Sequence, residues 1–284
     1  MALHWWQFWM LLKKSIARFS SMVGVIAPAL SFAVRGSHPK RVAIAAAYLH
    51  LRLRLALSRR PLRRMSLLGT EVHFNDAHSF TFLFSELFFE EIYGGCEQPP
   101  ATIIDCGSNI GMSILLFKSL WPKSKILGIE ASPETFLLLK ENVKTLHDVT
   151  IVNKAVSGRR GIVPFYSGPN SLLSSTNALR GGGTEISVEA VPLSDFIDDS
   201  IDLLKTDIEG SEIDAFAELE ASGKMPLIRQ MFIEYHHHLP GEMPGLSSFL
   251  GRLERCGFDY ELAACLPSRS GSFQDIFIRA KRND

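Results

Sequence analysis

The chain reads as an α/β protein organised on a parallel sheet, and three observations predict it. A hydrophobic run from Thr102 ends in Asp105 and breaks into the small residues Gly107, Ser108 and Gly111 before a second apolar stretch, Met112 to Leu120. That is a strand, a glycine turn and a helix. A second apolar strand, Lys125 to Ile129, carries Glu130 at its carboxyl end, about 20 residues past the glycines. Strand and helix then keep alternating as far as Ile201–Thr206 and Arg229–Tyr235, the pattern of right-handed crossovers with helices on both faces.

Ahead of the sheet the chain has a different character. Up to Thr70 there are 12 Lys+Arg and no acid; Glu71 is the first, and the remainder holds 18 Lys+Arg against 30 Asp+Glu. Zero net charge therefore hides a basic leader and an acidic body with different partners. From His4 to Phe19, the residues Trp5, Trp9, Leu12, Ile16 and Phe19 fall on one helical face, with Lys13, Lys14 and Arg18 largely off it. This is the pattern of a helix lying in a membrane interface. Phe19 to Val34 is apolar but shorter than the roughly 20 residues a span needs, and Gly24 and Pro28 interrupt it. A second helix over Val42 to Leu57 ends in Arg52, Arg54 and the run SRRPLRR at Ser58 to Arg64. Such clusters attract anionic headgroups, and the aliphatic and tryptophan content beside them favours lipid over nucleic acid. The alternative is a helical cap packed on the core. Cys96, Cys106, Cys256 and Cys265 show no disulfide or metal spacing, so a reducing, cytoplasmic location is expected, peripheral on the cytoplasmic membrane face if the leader binds lipid.

Ser66 to Asn75 predicts a hairpin around Gly69-Thr70, and Phe80 to Tyr93 a helix with a phenylalanine-rich inner face. Gly94 to Pro100 is a breaker-rich hinge. The expected division is thus 1–65 (helical extension), 66–100 (hairpin and lead-in helix) and 101–284 (the sheet domain).

Within the sheet domain the turn has the form D-x-G-x-N-x-G, with Asn109 supporting it. A helix N-terminus there offers free N–H groups to a polar or anionic ligand. The missing second close glycine argues against a dinucleotide. Glu130 stands where ribose hydroxyls are bound, and a carboxylate accepts two of them side by side. Ser132 and Pro133 start the next helix, with Leu137 to Leu139 facing inward. Val149 to Asn153 is the third strand, Val163 to Tyr166 an extra strand, and Glu185 to Leu193 another. Between the last two, Ser167 to Thr184 is rich in serine and glycine, either a substrate lid or an unstructured connector.

The fourth core strand delivers Asp207 to the ligand-binding edge, followed by Glu209 and Glu212, with Gly210 making the turn. The fifth delivers Glu234 and runs into His236, His237 and His238, read as a polar loop or as functional residues. Acids this crowded repel unless a cation lies between them. The chain closes with a helix over Leu246 to Cys256 and strands at Phe258 to Ala264 and Gln274 to Ala280.

Asp105, Gly107, Asn109 and Gly111, then Glu130 with Ser132-Pro133, then LLKTDIEGSEIDAF at Leu203 to Phe216 resemble the FkbM-type family of S-adenosylmethionine-dependent methyltransferases. The resemblance runs from about Glu71 to Arg279, and the block Asp207 to Glu212 is its most specific part. It implies a Rossmann-like class I methyltransferase fold, with a seven-stranded, mostly parallel sheet completed by an antiparallel strand at one end. It implies O-methylation of a sugar, glycolipid or secondary metabolite, and a lead-in helix that helps close the pocket. The cofactor site it implies comprises Asp105, Gly107, Ser108, Asn109, Gly111, Glu130, Ala131, Ala155 and Asp207, with Lys154 to Ser157 a loop beside the adenine. Two mechanisms fit Asp207, Glu209, Glu234 and His236: a carboxylate or His236 as general base, or Asp207, Glu234 and His236 holding a divalent cation that acidifies the acceptor hydroxyl. No compact ligand motif supports the metal. The competing function is a membrane-tethered protein that binds the nucleoside without turnover.

Overall fold

The computed structural model describes residues 24–58, 60–167, 175, 177, 183–265 and 272–283. The predicted interfacial stretch His4 to Phe19 and most of the predicted lid, Ser167 to Thr184, lie outside the described residues. A helix over residues 24–35 (α1) and a second, α2 (Arg41–Leu57), lead into a hairpin of β1 (Arg64–Leu67) and β2 (Thr70–His73). The hairpin turns at Leu68-Gly69, one residue earlier than expected. Both residues have positive φ, 55° and 91°, as a two-residue connection requires.

The lead-in helix differs more. It begins at Ala77, where the Asp76 carboxylate accepts from the Ser79 amide at 2.6 Å, so α3 is Ala77–Phe84. It then widens into a π-helical turn over Ser85–Phe89 and stops, well short of Tyr93. The sequence has no breaker there; the wider turn lets Leu87 and Phe88 both reach the core while Glu86 faces the sheet edge.

The sheet domain follows: β3 (Thr102–Cys106), α4 (Met112–Leu120), β4 (Lys125–Glu130), α5 (Pro133–Val143), β5 (Val149–Asn153), β6 (Ala155–Ser157), β7 (Gly161–Ser167), β8 (Thr184–Pro192), β9 (Ile201–Thr206), α6 (Glu212–Ala221), β10 (Ile228–His237), α7 (Leu246–Arg255), β11 (Phe258–Ala264) and β12 (Gln274–Arg282). Seven strands form one sheet in the order β11-β12-β10-β9-β3-β4-β5. Six of the seven point the same way, and β12 alone runs antiparallel, to both its neighbours β10 and β11. The antiparallel strand therefore sits one place in from the edge, not at it. Residues 154–157, expected as a loop, are corrected in part: Ala155–Ser157 pairs with β8 in a separate three-stranded sheet, because small apolar Ala155 and Val156 bury against Ala190 and Val191.

Successive strand residues point to opposite faces. Ile103, Leu203 and Phe232 enter one apolar layer and Ile104, Leu204 and Ile233 the other. The first layer is completed by the extension: Ala29, Phe32, Ile44, Tyr48 and Leu51 are buried with Phe80, Phe84 and Phe88. Each such fully buried large side chain contributes about 1.5–3 kcal/mol. From residue 24 onward the extension thus caps the core, while Leu30, Val34, Val42, Leu53 and Leu57 remain exposed on it. In α5, Leu139 is buried but Leu137 is exposed, two residues being half a helical turn. Among the described residues no helix is long and apolar enough to cross a membrane.

Candidate active site

The turn after β3 is fixed by backbone contacts no side chain would permit. Gly107 has φ +75°, and a Cβ there would stand 1.7 Å from the carbonyl oxygen of Asp207. The amides of Gly107 and Ser108 donate to the Ile129 carbonyl at 2.9 and 3.0 Å, and Ser108 Oγ donates to the Asp105 carbonyl. Asn109 takes φ 48°, with its Oδ1 accepting from the Ile110 amide at 2.8 Å. Gly111, at φ +89°, is the residue from which α4 departs. Glu130 ties this turn to the next: Oε2 accepts from the Asn109 amide at 2.9 Å and Oε1 from the Ser132 amide at 2.8 Å. Burial nevertheless pushes its carboxyl up to about 7. Gly107, Asn109, Glu130, Ala131 and Ala155 line one small cavity with Phe165.

Asp105 lines neither of the two cavities at this edge; it acts from beneath. It is wholly buried, accepts from Ser113 Oγ at 2.6 Å, and lies 3.1 Å from Lys205 Nζ. Lys205, on the neighbouring strand directly opposite Asp105, also donates to the Gly107 carbonyl at 2.7 Å and stands 3.8 Å from Asp207. Burial opposes its charge, but Asp105 and Asp207 outweigh that and hold the ammonium above its usual range. Sequence reasoning missed Lys205. The available signal was a lysine directly after the apolar pair Leu203-Leu204 near the end of a strand expected at the centre of the sheet.

A second cavity of about 350 Å³ adjoins the first, sharing Gly107, Asn109, Asp207 and Glu209 as its wall. Ser108, Glu86, Tyr93, Glu234 and Asp275 also line it. Glu86, Tyr93 and Asp275 were missed. Burial, then the nearby Asp207, pushes Glu86 up to about 8, and burial raises Glu234 well above the usual carboxylate range, reinforced by Asp207. For Glu86 the signal was a lone acid among phenylalanines in FLFSELFF.

His236 is brought to the acids but not to the cavity surface. The expected polar loop is corrected: His236 and His237 belong to β10, and only His238, at φ 59°, turns away. The His236 side chain is fully buried, register-paired with Asp275. Nδ1 lies 2.8 Å from Glu212 Oε1, while Nε2 lies 3.2 Å from Glu209 Oε2 and 3.7 Å from Asp207 Oδ1. Burial disfavours the imidazolium, but Glu212 and Glu209 outweigh it and raise the ring's basicity. The donor atoms group as Asp207, Glu209 and His236, and separately as Glu234, His236 and Asp275, rather than as the expected Asp207, Glu234 and His236.

A seven-stranded sheet with one antiparallel strand, and a glycine turn facing a strand-terminal carboxylate, define a class I methyltransferase. The family model of the methyltransferase FkbM domain matches residues 105–260, and the chain belongs to that family. It is similar to Methyltransferase 1 of Beauveria bassiana, 29% identical over 167 residues, 49% of this chain and 67% of that protein. To the 2-O-methyltransferase NoeI of Sinorhizobium fredii it is 30% identical over 208 residues, covering 64% and 81% respectively. The solved structure of methyltransferase FkbM from Methylobacillus flagellatus overlays with a TM-score of 0.43 at 15% identity, across 91% of this chain and 60% of that one.

Proposed function

We propose that the chain transfers the methyl group of S-adenosylmethionine to a hydroxyl of a sugar, glycolipid or secondary metabolite. The observation that carries this is the pair of adjoining cavities with a common wall at Gly107, Asn109, Asp207 and Glu209. The smaller suits the nucleoside, with Glu130 accepting from the ribose hydroxyls and Ala131 and Ala155 leaving room for adenine. The larger suits the methionyl end and the acceptor, where Asp207 meets the donor's ammonium. The acceptor oxygen attacks the methyl carbon in line, the carbon–sulfur bond breaks with its electron pair going to sulfur, and the hydroxyl proton passes to a carboxylate. Glu234 is the base we assign: it lines this cavity, and in its ionised form burial makes it a stronger base than an ordinary carboxylate, so it can take the hydroxyl proton as the methyl transfers; His236 and Glu209 support that edge. That the Sinorhizobium relative is named a 2-O-methyltransferase agrees with an oxygen acceptor.

Incubation with methyl-labelled donor and an extract tests this. Label should enter an acceptor with the natural chain and fall at least tenfold with Glu130→Ala and Asp207→Asn. A folded protein that gives no calorimetric heat with the donor or its demethylated product would end the proposal.

We further propose that the extension rests on an anionic cytoplasmic membrane face, presenting lipid-linked acceptors. Supporting this are Leu30, Val34, Val42, Leu53 and Leu57, exposed on helices that also carry Arg35 and Arg54. Liposome flotation should recover the chain with anionic but not zwitterionic vesicles; equal recovery removes the reading.

A further inference from the structure

Three carboxylates converge on His236 Nε2 without completing its bonding. Among the described residues, His236 Nε2 and Asp207 Oδ1 are both buried atoms with no hydrogen-bond partner, and they stand 3.7 Å apart. Glu209 Oε2 lies 3.2 Å from the same nitrogen, and Asp275 Oδ1 lies 3.8 Å from it. Leaving two buried polar atoms face to face and unsatisfied is costly unless something fills the gap. Atoms that share one small cation at about 2.1 Å stand roughly 3 to 3.5 Å from each other, close to the spacing found.

The other side of the ring is equally specific. Nδ1 lies 2.8 Å from Glu212 Oε1. Glu212 is itself fixed in place, its carboxylate accepting from the amides of Ile208 and Gly210. A carboxylate behind an imidazole accepts a hydrogen bond from Nδ1–H, which fixes the tautomer and the ring's orientation and leaves the Nε2 lone pair pointing forward; this is how proteins present histidine to a metal ion.

The geometry points to a divalent-cation site formed by Asp207 Oδ1, Glu209 Oε2 and His236 Nε2, with Glu212 as the positioning residue behind the ring. Two oxygens and one nitrogen suit a first-row ion such as Mn²⁺ better than Mg²⁺ or Ca²⁺, which prefer oxygen alone. Asp207 and Glu209 are partly exposed and line the larger cavity, so the ion's remaining positions open toward the acceptor. The inference deepens the proposed function, on which the ion's role rests: it would bind the acceptor hydroxyl and lower its pKa, while Glu234 takes the proton.

The test is a titration of the EDTA-stripped full chain with Mn²⁺, read by the loss of free-ion EPR signal. One ion should bind per chain, and Glu209→Gln should weaken it at least tenfold. Glu212→Gln, which touches no metal, should weaken it by about 10–100-fold, whereas a purely structural role predicts no change in Mn²⁺ affinity. His236→Asn should abolish binding; if that variant melts early, the Glu209 variant alone decides. No bound Mn²⁺ in protein with an unchanged melting profile overturns the site, as does equal binding by Glu209→Gln. Donor calorimetry without metal separates the two readings: heat with the donor but no Mn²⁺ binding removes the metal and leaves the methyltransferase chemistry, and the reverse removes the donor assignment alone.

Discussion

The two halves of the sheet's carboxyl edge solve opposite problems. On the β3–β4 side, nearly every polar atom is already paired: Glu130 takes an amide from each turn, Asn109 closes its own, and Gly107 touches the Asp207 backbone. On the β9–β10 side, Asp207, Glu209, Glu234, Asp275 and Glu86 crowd one cavity, and the ring nitrogen among them lacks a hydrogen bond. The first half is a preformed mould; the second is an arrangement of charge that wants a cation. A site made this way fixes the common part of its ligand by shape and leaves the variable part to electrostatics.

Lys205 is what lets these halves coexist, and removing it tests the contrast hardest. Lys205→Met leaves buried Asp105 uncompensated and should cost about 3–5 kcal/mol in chemical denaturation; a loss below about 1 kcal/mol would mean the pair is not holding the edge together. Next in size is Gly107→Ala, whose methyl meets the Asp207 carbonyl at positive φ. A loss of about 2–3 kcal/mol and of measurable donor binding is expected, seen by thermal melting and calorimetry. Glu130→Gln should keep the fold at a cost of about 1–2 kcal/mol, since its NH2 faces one of the two backbone amides the carboxylate accepts from, and should weaken donor binding about tenfold, or about 1.4 kcal/mol.

The smallest effect sharpens the acidic side. The folded Glu86 carboxyl keeps its proton up to about 8, against an ordinary 4.5, so across that window the folded state binds more protons than the unfolded chain. Stability should therefore fall as pH rises from 4.5 toward 8. Glu86→Gln should flatten that slope in melts taken at pH 5, 6.5 and 8; an unchanged slope would assign it to Glu234, which is shifted in the same direction.

Legibility in the sequence follows the same division. The mould is local: aspartate, glycine, asparagine and glycine lie within seven residues, and the acid of the next strand follows at the spacing one crossover helix imposes, so Asp105 to Gly111 and Glu130 could be read directly. The acidic side is assembled from α3's π-helical turn, β9, β10 and β12, and no short motif records that meeting. Asp207 and Glu234 were found because parallel strands end at one edge. Glu86 was not, since a π turn leaves no breaker in the sequence, and Asp275 was not, since its strand arrives antiparallel and offers its first residues there. Lys205 hid because its apolar neighbours make the strand read as core.

The crowding of acids in the larger cavity bears on turnover. On the proposed chemistry the sulfonium compound carries one positive charge more than the thioether left behind, so every methyl delivered discharges the chamber by that amount. Carboxylates that draw in the reagent lose their hold on the spent form the moment it arises, and departure is favoured without any hinge. The ratio of the two affinities should shrink as ionic strength rises, and a salt-independent ratio would deny the cavity this role.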